Sequence, residues 1–328
     1  MTSDSPEQNM NAPIRTAKPL LPGERVKVKS FSEIRLTLDS DSCNEGLPFM
    51  PEMTRFCGGI FTIHQRADKT CILDHQMRRM SNAVVLNGLR CDGSSHGGCQ
   101  LSCAFFWKEA WLERLIGNGN EKLSDGGRTV GNDGLKTETT DHTYFCQATE
   151  LGRATCEDVQ WWQLSQYQVD LRSKTFSPRG LLRELFILIR QRFLWSLVRH
   201  HQLPDNLEPP LGIEESLGLQ PGELVEVKSF REILSTLDRK GKHRGLAFVL
   251  DMSVFCGRQF QVASRVDRII LETTGKLHPV RDTVTLMGGI CDRHRGCARN
   301  MYHLWREVWL KRVSASRHSA PTVNQSTI

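Results

Sequence analysis

Residues 22–39 of this 328-residue chain, beginning Pro22-Gly23-Glu24, return as residues 221–238 with 13 of 18 positions identical. A repeat on this scale restricts the chain to two similar folding units plus whatever joins them. The match continues in fragments. Gly46-Leu47-Pro48-Phe49 is echoed by Gly245-Leu246-Ala247-Phe248, and Phe56-Cys57-Gly58 by Phe255-Cys256-Gly257. Cys91-Asp92 with His96 and Cys99 is echoed by Cys291-Asp292 with His294 and Cys297. Trp107-Lys108-Glu109-Ala110-Trp111-Leu112 returns as Trp305-Arg306-Glu307-Val308-Trp309-Leu310. The copies run in the same order, which points to duplication.

Each copy reads alike at the local level. Val26 and Val28 alternate with charged residues, as do Val225 and Val227, which is the pattern of a half-buried strand. Ser30-Phe31-Ser32-Glu33 and Ser229-Phe230-Arg231-Glu232 are capping boxes that open a short helix. Strands are expected over residues 60–65, 83–89, 260–266 and 283–286, and along each Trp-x-Glu-x-Trp segment. The expected class is α+β: two homologous, small, mostly-β, barrel-like domains stapled by metal and joined by a helical segment. The expected division is a disordered N-terminus over 1–19, a metal-binding repeat over 20–116, a flexible linker over 117–141 and a helical connecting segment over 142–203. A linker over 204–219, a second metal-binding repeat over 220–313 and a disordered tail over 314–328 complete it. Domains of this size lie near the lower limit for folding unaided, so a metal staple would help.

The metal expectation rests on cysteine spacing. The chain has 11 cysteines, an odd number that suits a full disulfide framework poorly and suits metal ligands better. Cys91, His96 and Cys99 lie on one glycine-rich loop, and Cys57 at a Cys-Gly turn supplies a fourth ligand. Cys291, His294 and Cys297 with Cys256 repeat the set. Three thiolates and one imidazole suit tetrahedral, structural zinc, two ions in all. Cys103 is an alternative to Cys99. Cys43, Cys71, Cys146 and Cys156 have no counterparts in the second copy and read as core or surface thiols.

Composition narrows the function further. A net charge of +6 from 43 basic and 37 acidic residues is small for a dedicated duplex binder, so nucleic acid is not favoured as a partner. The longest apolar run, residues 185–189, is far too short to span a bilayer. The polar N-terminus lacks a secretory apolar core, so a cytoplasmic location is expected. Residues 178–201 promise a helix capped by Ser177, with Leu182, Leu185, Phe186, Ile189, Phe193 and Leu197 as an apolar stripe and arginines around it. It would pack on a neighbouring domain or, as the alternative, lie on a membrane surface. The paired tryptophans would wall the core rather than form an aromatic platform. No catalytic signature stands out, and the one candidate pair is Cys146 with His142, at helical spacing. A binding or scaffold component with a protein partner is the function this pattern favours; a metal-dependent redox enzyme and a nucleic-acid binder are the alternatives.

Two resemblances add to this reading. The motifs Pro22-Gly23-Glu24, Gly46-Leu47-Pro48-Phe49-Met50-Pro51-Glu52-Met53, Arg90-Cys91-Asp92-Gly93, His96-Gly97-Gly98-Cys99 and residues 106–112 resemble those of a family of uncharacterised bacterial proteins, over nearly all of residues 21–313. Members of that family look like companions of biosynthetic genes, which implies an accessory role. Separately, Cys91-Asp92-Gly93-Ser94-Ser95-His96 resembles the Cys-Asp-Gly-Ser-His signature of a two-iron, two-sulfur family and implies an iron–sulfur cluster as the alternative cofactor. One extra residue precedes His96, and the upstream Cys-x-Cys pair of that family is missing here.

Overall fold

The computed structural model describes residues 18–72, 76–115, 134–200, 216–291 and 296–313, with side chains of 190–200 left aside. The N-terminal and C-terminal expectations for residues 1–17 and 314–328 lie outside these, as do His294 and most of both expected linkers.

In the first half the elements run β1 (Arg25–Val28), α1 (Phe31–Arg35), β2 (Cys43–Asn44), β3 (Leu47–Pro48), β4 (Ile60–Arg66), β5 (Lys69–Cys71), β6 (Met77–Arg79), β7 (Ala83–Arg90), β8 (Ala104–Lys108) and β9 (Leu112–Arg114). Helices α2 (Leu164–Arg172) and α3 (Pro178–His200) follow. The second half runs β10 (Leu224–Val227), α4 (Phe230–Leu234), β11 (Lys242–His243), β12 (Leu246–Ala247), β13 (Gln259–Arg265), β14 (Arg268–Leu271), β15 (Lys276–Pro279), β16 (Thr283–Leu286), β17 (Trp305–Arg306) and β18 (Leu310–Arg312). The architecture is thus mixed α and β, mostly strands.

Two five-stranded antiparallel sheets carry it, in the orders β8-β7-β4-β1-β9 and β17-β16-β13-β10-β18. Strands β8 and β9 lie on opposite edges of their sheet, yet only Glu109–Trp111 separates them in the chain. Such a short link between two edges requires the sheet to curl strongly, toward a barrel that stays partly open. Each sheet carries a register shift at the same place, between Ile63 and Gln65 in β4 and between Val262 and Ser264 in β13. Bulges of this kind sharpen local curvature.

Both capping boxes form: Ser30 accepts from the Glu33 amide while Glu33 reaches back, and Ser229 and Glu232 do the same. Each expected Trp-x-Glu-x-Trp strand is instead broken by a 3₁₀ turn, Glu109–Trp111 or Glu307–Trp309. The glutamate of each turn pairs with an arginine at the end of β4 or β13, Arg66 or Arg265. The tryptophans are fully buried, which rules out an exposed platform. Phe49 meets Trp111 edge-on at 5.2 Å, and Phe248 meets Trp309 at 5.3 Å. Each outer indole donates to a threonine, Trp111 to Thr37 and Trp309 to Thr236. Aromatic pairs of this geometry add to what their burial already contributes.

The connecting segment departs from expectation in three ways. Residues 134–141 are not free linker, because Leu135 is buried in the first core and Lys136 pairs with Asp41 at 2.7 Å. Residues 144–163 wrap the first sheet as turns, and α2 starts only at Leu164. In α3, Ser177 caps the first turn through the Gly180 amide, but Leu182, Phe186 and Ile189 stay two-thirds exposed instead of packing. Among the described residues no helix is long and apolar enough to cross a membrane.

Candidate functional site

The two halves meet through exchanged parts. In the first, the loop after β7 (residues 91–103) reaches the hairpin β14–β15 of the second half. Gln100 N donates to Arg268 O at 3.1 Å, and Ile270 N donates to the Cys99 sulfur at 3.4 Å. In the second, residues 296–301 reach the hairpin β5–β6 of the first half. Ala298 N donates to Lys69 O at 3.2 Å, and Cys71 N donates to the Cys297 sulfur at 3.2 Å. The two sets of contacts mirror each other residue for residue.

At the first of these junctions lies a cavity of about 30 Å³, lined by Cys91, His96, Cys99, Cys103, Cys146 and Ile270 among others. Its volume is that of about one or two waters. Four thiols facing so small a space are the main concentration of reactive chemistry in the described residues. The loop that carries them is tightly made. Gly93 has φ +70°, and a side chain there would collide with the Cys99 backbone, its carbonyl oxygen first. Only glycine allows that approach. Gly97 faces the Tyr144 hydroxyl in the same way.

Burial first, then the charge of Glu52 and the neighbouring Cys103, holds the Cys91 thiol far above its usual range. Burial pushes Cys103 up to about 12. Cys146 is raised by burial too, although the Thr149 and Ala148 amides pull the other way. Backbone N–H groups aimed at sulfur favour the thiolate. Three of the cavity sulfurs have such donors: Cys91 from Gly93 at 3.3 Å, Cys99 from Ile270, and Cys146 from Ala148 and Thr149.

His96 is fully buried, and its two ring nitrogens are both engaged. Nδ1 lies 2.7 Å from Glu52 Oε1 and Nε2 3.1 Å from the Phe145 carbonyl oxygen. Glu52 is itself buried and also accepts from the Ser95 amide at 3.0 Å. Burial works to raise the Glu52 carboxyl, but the hydrogen bond and charge of His96 hold it below its usual range. Its second oxygen, Oε2, is buried without a hydrogen-bond partner. An orphaned carboxylate oxygen beside a thiol cluster is costly unless a positive charge is near.

The structure therefore regroups the residues expected to bind metal. Cys91, His96 and Cys99 come together, but the imidazole is committed to Glu52 and Phe145. Cys57 does not line the cavity; burial alone pushes it up to about 11. Cys103 and Cys146 take its place. In the second half Cys256 packs on the second core, and burial pushes it up to about 11. Cys297 belongs to a different cluster, with Met77, Val159 and Cys71. Cys291 interacts with Cys297 electrostatically. Among the described residues no three His, Cys, Asp or Glu side chains stand close enough, as they are, to hold a metal ion. The pairing of His142 with Cys146 does not form on a helix. His142 sits exposed in a turn with φ +55°, and Cys146 is buried against the cavity.

The sequence offers Cys103 only as an alternative to Cys99, and Cys146 only as a core or surface thiol or as a partner of His142, because the repeat directs attention to shared cysteines. Both are cysteines the second copy lacks, a property they share with Cys43, Cys71 and Cys156, so only the fold singles them out. No protein-family model, curated protein or solved structure matches the chain.

Proposed function

We propose that this chain is a binding or scaffold component whose first half closes around a structural zinc ion held by Cys91, Cys99, Cys103 and Cys146. The observation that carries this reading is the set of backbone amides aimed at three of those sulfurs. A neutral thiol sulfur accepts such bonds only weakly, whereas they stabilise the thiolates a metal requires. Zinc accepts four thiolates in a tetrahedron at about 2.3 Å, and binding requires the side chains to draw in around the cavity. Glu52 and His96 then act behind the ligands, supplying negative charge and fixing the loop. A closed four-thiolate shell leaves no open position for substrate, which favours a structural role over catalysis. Three ligands would come from the loop between β7 and β8 and the fourth from the turns after residue 144, so one ion would tie together two segments well separated in sequence. The likeness of the two copies in strand order and register fits an origin by duplication. The resemblance to companions of biosynthetic genes fits an accessory role.

Metal analysis of protein purified without oxygen or added metal tests this directly. About one zinc per chain is expected, retained in Cys57→Ser and lost in Cys103→Ser and Cys146→Ser. Zinc retained by a folded Cys146→Ser variant would sink the proposed ligand set. Iron with sulfide in place of zinc would move the same four thiols to an iron–sulfur cluster and redox chemistry to the front.

A further inference from the structure

The second junction between the halves carries a different chemistry from the first. Opposite Cys99 the β14 strand presents Ile270, whereas opposite Cys297, at the matching place, β5 presents Cys71. Cys297 is buried with Met77 and Val159, and Cys71 packs against that cluster half-buried. The Cys71 amide donates to the Cys297 sulfur at 3.2 Å, and the two thiols share a hydrogen bond. Arg299 Nη1 donates to the Cys71 carbonyl oxygen at 3.2 Å, which holds residues 297–299 alongside β5. Two thiols in contact, fixed by backbone on both sides and contributed by opposite halves of the chain, need little motion to bond.

We infer that Cys71 and Cys297 form a covalent crosslinking site, closed into a disulfide by a small disulfide oxidant and tying the two halves of the chain together. The Cys71 thiolate, the more accessible of the two, attacks one sulfur of the oxidant and releases the first small thiolate. The Cys297 thiolate then attacks the Cys71 sulfur of the mixed disulfide and releases the second. Two thiol protons pass to the two released thiolates, and the two electrons lost by the pair reduce the oxidant. The site is independent of the four-thiol cavity, none of whose cysteines takes part.

The test is to treat the full chain, as purified, with oxidised glutathione, alkylate the remaining thiols, digest, and map disulfides by mass spectrometry. The expected result is a linked peptide pair joining Cys71 to Cys297, absent after dithiothreitol. The oxidised chain should unfold at a higher urea concentration than the reduced one. The pair should be lost in Cys71→Ser, whose position at a half-buried edge spares the core. Alkylation of both Cys71 and Cys297 after oxidation would overturn the inference, as would a link from Cys71 to any other cysteine. Because the mapping is done on the unaltered chain, a variant that fails to fold leaves the outcome decided.

Discussion

Lys69 and Asp170 form a buried ion pair at 2.7 Å, with Gln166 as a further acceptor for the ammonium at 3.1 Å. The second half closes over it. A side chain at Gly296 would come within 2.5 Å of Lys69 Cε. Burial pushes the Asp170 carboxyl up even though Lys69 pulls it down, so desolvation outweighs the pairing. A buried pair of this kind is weak support for the fold, yet removing one partner leaves the other charge stranded. Asp170→Ala is therefore expected to cost about 3–5 kcal/mol. The double replacement Lys69→Met with Asp170→Leu should recover most of that loss. The pH dependence has a definite sign. The folded carboxyl binds its proton more tightly than the free group at 3.8. Its contribution is therefore full below that value and is lost as pH rises through the higher folded value. Relative to the double variant, the natural chain should gain stability in acid. Urea unfolding of the three proteins at neutral and acid pH checks both points; a double variant as weak as Asp170→Ala would refute the argument.

At the scale of elements, the free edge of the first sheet is closed by a side chain. Gln147 lies beside β8 with its amide in the place of a peptide group. Its Oε1 accepts from Phe106 N at 2.9 Å, and its Nε2 donates to Phe106 O at 2.9 Å and to Pro48 O at 3.0 Å. An exposed strand edge invites pairing with another chain, and this clamp blocks it. Gln147→Leu keeps the volume but strands one donor and two acceptors in a buried place, at a cost of about 2–4 kcal/mol. It should also release the turn that carries Cys146. Thermal unfolding and light scattering of the variant would check this, and unchanged stability with no aggregation would refute it. The strands themselves were readable, because alternation at Val26/Val28 and Val225/Val227 reports a half-buried sheet directly. The clamp was not. A glutamine 41 residues from its partner leaves no periodic trace, and neither does the 3₁₀ turn from which Glu109 reaches Arg66. The cavity was half-readable: the loop from Cys91 to Cys99 announces itself by spacing, whereas Cys146 joins it only because the turns after residue 144 fold back.

For the whole molecule, the mirrored exchange of loops makes each half incomplete alone. At each junction a strand amide of one half, Ile270 N or Cys71 N, donates to a cysteine sulfur of the other. Arg90 joins the two exchanged loops: its Nη1 donates to Ser102 O at 2.8 Å, its Nη2 to Asn300 O at 3.0 Å, and its guanidinium lies 4.5 Å from the Tyr302 ring centre. Hydrogen bonds from a charged group contribute about 1.5–3 kcal/mol each. If the halves were independent units in loose contact, the amides of Cys71 and Ile270 would exchange hydrogen through separate, shallow openings. If they form one cooperative unit, both amides can exchange only when the halves part, so both should show the same opening free energy. We expect the second result, agreement to within about 0.5 kcal/mol, by native-state hydrogen exchange under reducing conditions. Arg90→Ala should speed both amides together, because it weakens the one event that exposes them. Acceleration at Ile270 alone would mean that the two junctions open separately, and that the exchanged loops are contacts between two units rather than the closure of one.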